Sequence, residues 1–345
     1  VRTNTSHRKE RIDRGIKVRS DDIFVLASMR DLLYVILPKA IVILAMFILP
    51  LLKDVVGMYW LNVLVTTLVI ILLALSWDLL ASAGLVSLGQ AFFFGVGSYI
   101  AGYLSFRFGW SPLFTIPTAT LVGAIICALF LYPVLRLRGI YFGLITFALP
   151  LLFGRLIEAT KVLGGTEGMS ALPPLHGITG KLYLLMFVVL LTLFGFRRLI
   201  SSNYGLVFQG IRDNDRAVIA AGYNIQWYKT QAVFIAALPA TFAGAFVAHH
   251  FQFVGIPAFA MDYSILPLTA VVVGGAGTFI GGALGAVILM PLSEILREFG
   301  SLRVVIYSLL LLIFSIGLPE GLFKYIKRKY SQIERLTTME EVKHD

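Results

Sequence analysis

The chain has 345 residues, 58% of them apolar and 14% charged, and carries a formal charge of +10 at neutral pH. A soluble domain is nearer half apolar and one quarter charged, so this composition excludes an ordinary soluble enzyme and calls for a polytopic membrane protein. The basic excess clusters at both ends and in a few loops, which suits membrane topology better than nucleic-acid binding. The single cysteine, Cys127, excludes an intrachain disulfide.

Residues 1–31 form a basic tail, expected to be cytoplasmic, and the stretch 23–36 is able to lie on anionic lipid. The first apolar run begins only near Leu32, behind that tail, unlike a cleavable signal peptide. A membrane region is expected over 32–322, followed by a second basic tail over 323–345. The fold class is all-α, a membrane helical bundle of about ten spans (eight to ten).

The first two spans are placed at about 33–52 and 58–80, and Lys39 can snorkel back to the interface. Trp77 and Asp78 fall near the inner end of the second span, where an aromatic ring and a carboxylate cost little. A third span is drawn from the stretch 82–104, a fourth over 112–135 and a fifth over 140–157. The loop 158–181 is rich in Gly and Pro and reads as an outer loop with short elements of its own. Later spans are placed at 182–196, 230–250, 263–275, 279–296 and 303–318. The eighth is short and ends in glycine; if it is re-entrant the count drops. His249 and His250 are read as interfacial, and Arg155–Glu158 and Glu294–Arg297 as surface ion pairs at helical spacing. Eight basic residues in the first tail, two at 136–138, five at 197–229 and six in the last tail put 21 inside, against seven outside. Both termini are therefore expected in the cytoplasm.

The longest polar interruption between the first and last apolar spans runs from Arg197 to Lys229. Within it Asp213 or Asn214 can cap a short helix, Asp215 sits in its positive first turn, and Gly222 supplies a stop. Ala217, Val218, Ala220 and Ala221 give this helix a small face. Two readings stand: an ordinary cytoplasmic loop, or an element that presses on a soluble partner.

Small residues also recur inside the spans. Gly277, Gly281 and Gly285 are spaced by four, as are Ala236, Ala240, Gly244 and Ala248, while Gly95, Gly97 and Gly102 mark the third span. Such rows let helices approach closely, and with Pro239 inside the seventh span they suit a bundle that moves around a pathway. No phosphate loop, HExxH or CxxC occurs, and no ionisable group stands out at mid-membrane. The expectation is a transport subunit rather than an enzyme, without cofactor or metal, driven by another chain.

Five motifs in order extend this reading. Gly84-Leu85-Val86-Ser87-Leu88-Gly89-Gln90 is followed by Phe94, Gly95, Gly97 and Tyr99; then come Arg138–Phe142 with Gly164–Gly168, and Ile211-Arg212-Asp213-Asn214 with Ala217 and Gly222. The late motifs are Gly274-Gly275-Ala276-Gly277-Thr278 with Gly281, Gly285 and Ala286, and Pro319–Leu322. This pattern resembles the LivM-type permeases of ATP-binding-cassette importers for branched-chain amino acids. The chain departs from it at Val218, Ile219 and Gly282, and before residue 79 it matches only in hydropathy. The resemblance implies half of a translocation pathway in a prokaryotic plasma (inner) membrane. It implies as partners a homologous permease, two cytoplasmic ATPase subunits that bind the ATP, and an extracytoplasmic substrate-binding protein. Arg212, Asp213, Asn214, Asp215, Ala217, Ala221 and Gly222 become candidates for ATPase coupling. Gly84, Ser87, Gly89, Gln90, Gly95, Gly97, Gly274, Gly275, Gly277, Thr278, Gly281 and Gly285 become candidates for helix packing or the pathway. Relatives that carry urea or short amides are the alternative, with an ion-coupled carrier behind them.

Overall fold

The computed structural model describes residues 50, 53–137, 139–175, 177–296, 300, 302–317 and 321–325. The basic tail, the first span and Arg297 lie outside the described residues. The regular structure among the described residues is helical apart from one two-stranded pairing. In chain order the helices are α1 (Lys53–Ser82), α2 (Gln90–Phe108), α3 (Pro112–Leu131), α4 (Ile140–Thr160), α5 (Ile178–Ile200) and α6 (Asn203–Ala220). They are followed by α7 (Ile225–Phe251), α8 (Asp262–Gly274), α9 (Ile280–Ile295) and α10 (Leu302–Gly317). Strand β1 (Met169–Ser170) pairs antiparallel with β2 (Phe253–Val254), tying the long loop after α4 to the end of α7.

Among the described residues six segments are long and apolar enough to cross a membrane: Gly57–Ser82, α3, α4, α5, α7, and Ile256–Gly274. Six such segments in a chain of 58% apolar and 14% charged residues make this an integral membrane protein. The helix α1 is apolar on all sides because it is surrounded: it packs against α5, α7, α8 and α9. Its first residues are set off by Gly57, whose φ of 79° breaks the helix. The other central helix, α7, is sheathed by α1, α2 and α3.

The approach of α2 to α7 depends on missing side chains. A Cβ on Gly97 would strike the Thr241 carbonyl oxygen, and one on Gly244 would strike that of Phe94. Ala236, Ala240 and Ala248 complete a fully buried small face on α7. In α8 and α9 the same device recurs. Gly274 faces the backbone of Gly281, and Gly285 faces that of Ala270. With 13 and 16 residues, these two helices are about 20 and 24 Å long, shorter than the ~30 Å hydrocarbon core. They form a hairpin whose turn, residues 275–279, is a structural element in its own right.

Several expectations need correction. Gly277 does not belong to the packing row; it lies in the turn before α9 at φ 79°, with nothing within 4 Å of its Cβ position. The third span begins only at Gln90, because residues 83–89 are irregular backbone. Asp78 is fully buried rather than interfacial, since the turn between α8 and α9 covers it. His249 is buried too. Its Nδ1 lies 2.9 Å from the Pro173 carbonyl oxygen and its Nε2 lies 2.6 Å from Thr115 Oγ1. A carbonyl only accepts, so Nδ1 carries the proton, and in the neutral ring Nε2 is the acceptor of the threonine hydroxyl. The Arg155–Glu158 pair forms at 2.7 Å.

Candidate functional site at one end of the bundle

The ends of α1, α5 and α9's preceding turn, together with α6, gather at the same end of the molecule. Here the sequence-selected segment 197–229 is almost wholly helical: α5 runs on to Ile200, and α6 occupies 203–220. α6 is longer than the short helix expected, and it is bent. Asn214 has φ −157° and ψ 94°, values outside the helical region, and divides α6 into two limbs.

The second limb starts as a capped helix. Asn214 is extended, and its Oδ1 accepts from the backbone N–H of Ala217 at 3.3 Å, the geometry of an N-cap. Of the two residues the sequence offered as caps, the fold uses Asn214. The limb ends where Gly222, at φ 86°, reverses the chain and Tyr223 N–H donates to the Val218 carbonyl at 3.2 Å. Asn224 then caps α7 through Trp227 N–H, at 3.2 Å. Gly210 permits the fold-back, because a Cβ there would lie 3.0 Å from Val218 Cγ2. The two limbs enclose an open groove of about 550 Å³, lined in part by Leu206, Val207, Gly210, Asn214, Ala217 and Ala221. Ala217, Ala220, Ala221 and Gly222 are exposed, as are Arg212 and Asp213, whose side chains pair at 3.0 Å. Asp215 is half-buried.

The first limb is the anchor, and sequence reading missed it. Phe208 is fully buried and packs with Ala83 of the segment after α1 and Ala232 of α7; Leu199, Ile200 and Tyr228 close around them. Its signal was an apolar residue, Phe208, three before Ile211, which is also buried. Gly84 completes the contact. It adopts φ 76°, and its Cβ position lies 2.9 Å from the Cα of Arg212. The early motif and the motif at 211–222, far apart in sequence, thus touch backbone to backbone.

The rest of the early motif is stitched to three helices. Trp77 Nε1 donates to the Ser87 carbonyl at 2.6 Å, Leu88 N–H donates to Thr146 Oγ1 at 3.0 Å, and Ala91 N–H donates to Ser264 Oγ at 2.9 Å. Gly89 N–H finds Ser87 Oγ at 3.2 Å, and Gly89 also abuts the backbone of Thr146. Non-helical backbone within a membrane protein is tolerated where protein groups satisfy it, and these residues do so. Gln90 is fully buried; its Oε1 accepts from Ser76 Oγ at 3.0 Å, while its Nε2 has no hydrogen-bond partner among the described residues. Gly95 faces the ring of Phe259, a direction different from that of Gly97.

In the late motif, Thr278 Oγ1 donates to the Gly275 carbonyl at 2.8 Å and accepts from Gly281 N–H at 3.0 Å. Gly275 is buried against Gly321. Among the described residues no group of three or more His, Cys, Asp or Glu side chains is placed to hold a metal.

Towards the other end of α1, α7 and α9 lies a cavity of about 310 Å³. Its lining combines apolar side chains such as Val69, Ile70 and Leu266 with Tyr263 and the carboxylates of Asp262 and Glu294. Tyr59 Oη donates to Glu294 Oε1 at 2.8 Å.

Residues 59–315 match the family described as the permease component of branched-chain amino acid transport systems. The high-affinity branched-chain amino acid transport system permease proteins LivM of Salmonella typhimurium and of Escherichia coli are each 28% identical over 292 residues. The alignments cover 74% of this chain and 68% of theirs. A solved structure of PsaBC from Streptococcus pneumoniae in complex with Fab includes a chain that is 19% identical, at a TM-score of 0.42. That match covers 83% of this chain and 99% of that one.

Proposed function

Because the chain belongs to the permease family of branched-chain amino acid transport systems, we propose that it forms half of the pathway of an ATP-binding-cassette importer, driven by separate ATPase subunits. The observation that carries this reading is the second limb of α6: a capped helical turn with an exposed alanine face, held at the end of the bundle by the buried Phe208. An element of that build suits a groove on a soluble partner, and its alanine face is exposed among the described residues. The partners are a homologous permease, two ATPase subunits that supply the ATP site, and an extracytoplasmic binding protein. The chain has about ten spans (eight to ten) within 32–322 in a prokaryotic inner membrane, and the tails 1–31 and 323–345 are cytoplasmic together with the segment 197–229.

The cavity towards the opposite end favours an amino acid over urea or a short amide. Its size falls at the lower edge of the ~300–1,000 Å³ range of small-ligand sites. The apolar wall suits an aliphatic side chain; urea has none.

Purification of the tagged chain with its partners should recover ATPase subunits, and uptake should require ATP and the binding protein. A cysteine replacing Ser202 should resist an impermeant reagent in intact cells, while one replacing Ser170 reacts. Substrate uptake by this chain alone in liposomes would end the importer reading in favour of an ion-coupled carrier.

A further inference from the structure

The turn between α8 and α9 has a geometry imposed from outside. Asp78, in the last turns of α1 and fully buried, accepts from Gly277 N–H at 2.6 Å and from Phe279 N–H at 2.8 Å, one donor on each carboxylate oxygen. Phe279 is held at φ 56°, a conformation few non-glycine residues adopt, and it immediately precedes α9. Its ring is buried and meets that of Phe196, near the end of α5, edge-on at 5.9 Å. Two converging N–H donors need an acceptor with two oxygens. A carboxamide accepts one and points its own N–H at the other. A negative group beside the first N–H groups of α9 is also favoured by the helix dipole.

Six residues beyond Asp78, Gly84 lies against Arg212 of α6. One short stretch of α1 and its continuation therefore carries two contacts: one to the turn of the α8–α9 hairpin and one to the helix that reaches outward. We infer that Asp78 is a positioning residue for transport. Its carboxylate ties the hairpin turn to the end of α1, so that a displacement of α6 carries the hairpin with it. The inference rests on α6 being the ATPase contact. An anchor of this kind transmits motion only if the parts it joins move as one body, and that is what a test has to measure.

The test uses the full importer, reconstituted in lipid with partner permease, ATPase subunits and binding protein, in a Cys127→Ser background. Spin labels are placed at Leu121→Cys, an exposed reference on α3, paired either with Arg216→Cys on α6, outside its small face, or with Ala276→Cys in the hairpin turn; all three sites are exposed. Distances are compared without nucleotide and with ATP plus vanadate. Both pairs should shift in the parent protein. In Asp78→Asn the 216 pair should shift as before while the 276 pair stays still, and substrate carried per ATP hydrolysed should fall about tenfold, within the usual span of coupling energies. A merely structural defect would lower uptake and hydrolysis together and leave their ratio unchanged. Gly84→Ala leaves the carboxylate in place but forces Arg212 away from α1, and it covers the case in which Asp78→Asn fails to assemble; here too the turn should fall out of step. A hairpin turn that follows nucleotide normally in either assembled variant, at an unchanged ratio, overturns the inference. A 216 pair that stands still in the parent protein removes the α6 reading and this inference with it.

Discussion

The peripheral helices and the two central ones are equally able to enter a membrane, yet the fold treats them in opposite ways. The most apolar windows of α1 and α7 are 89% and 78% buried inside the chain, those of α3, α4 and α5 only 39%, 33% and 22%. Lipid and protein interior are both apolar, so hydropathy does not separate a helix that faces one from a helix enclosed by the other. What separates them is what each face meets. α7 carries the small residues that let its backbone meet that of α2, and α1 buries large side chains such as Leu72, Leu75 and Leu79 among its neighbours, whereas α3 to α5 display Leu121, Leu129, Leu152 and Leu191 on their surfaces. The α6 limb is a third case, neither enclosed by the bundle nor apolar enough for lipid.

The sharpest break of this contrast is bulk between the central helices. Gly244→Leu places a side chain on the Phe94 carbonyl of α2, where no rotamer offers relief. The expected penalty exceeds the ~1–3 kcal/mol usual for overpacking, and the variant should be lost from the membrane fraction. Leu191→Ala on the exposed face of α5 should be recovered at normal levels. Equal recovery of the two variants would refute the division into enclosed and lipid-facing helices.

Next in size is bulk on the α6 limb. Ala217→Trp or Ala221→Trp alters an exposed face of a groove and leaves Phe208 in place. The protein should therefore insert and pair with its partner permease, while ATPase subunits copurify poorly and uptake falls to background. Full ATPase recovery and normal uptake with tryptophan at both sites would leave an ordinary loop.

A smaller effect is expected at the His249–Thr115 pair, which joins α7 to α3. Thr115→Val leaves the imidazole Nε2 buried without a donor, which typically costs ~1–3 kcal/mol. With His249→Phe already present, the same change should cost much less. Thermal unfolding in detergent of the two single variants and the double variant measures that difference, and simple additivity would show that the pair does not interact.

Smallest of all are the charges at the rim of the α6 groove. Arg212 and Asp213 are exposed and adjacent, and such pairs contribute ~0–1 kcal/mol. Asp213→Lys should lower uptake by less than the tryptophan variants do, with no change in expression. A loss as deep as that of Ala217→Trp would move recognition from the small face to the charges.

The membrane class, the placement of most spans from 58 onward, the break at 197–229 and the family were all legible in the sequence. Each depends on local order: apolar run length, small-residue spacing, a cap followed by a glycine stop. Asn214 and Gly222 could be found because a helix end is decided within a few residues. The contacts that organise the site were not legible. Asp78 looked like a cheap interfacial carboxylate because the N–H groups that receive it lie about two hundred residues later. His249 looked interfacial because Pro173 and Thr115 come from other elements. Gly277 fitted a spacing of four, yet the helix starts only after it, where the backbone has already turned. A buried polar group is defined by the partner that satisfies it, and that partner is chosen by tertiary packing; sequence supplies the donors and acceptors, and the fold alone decides which of them meet.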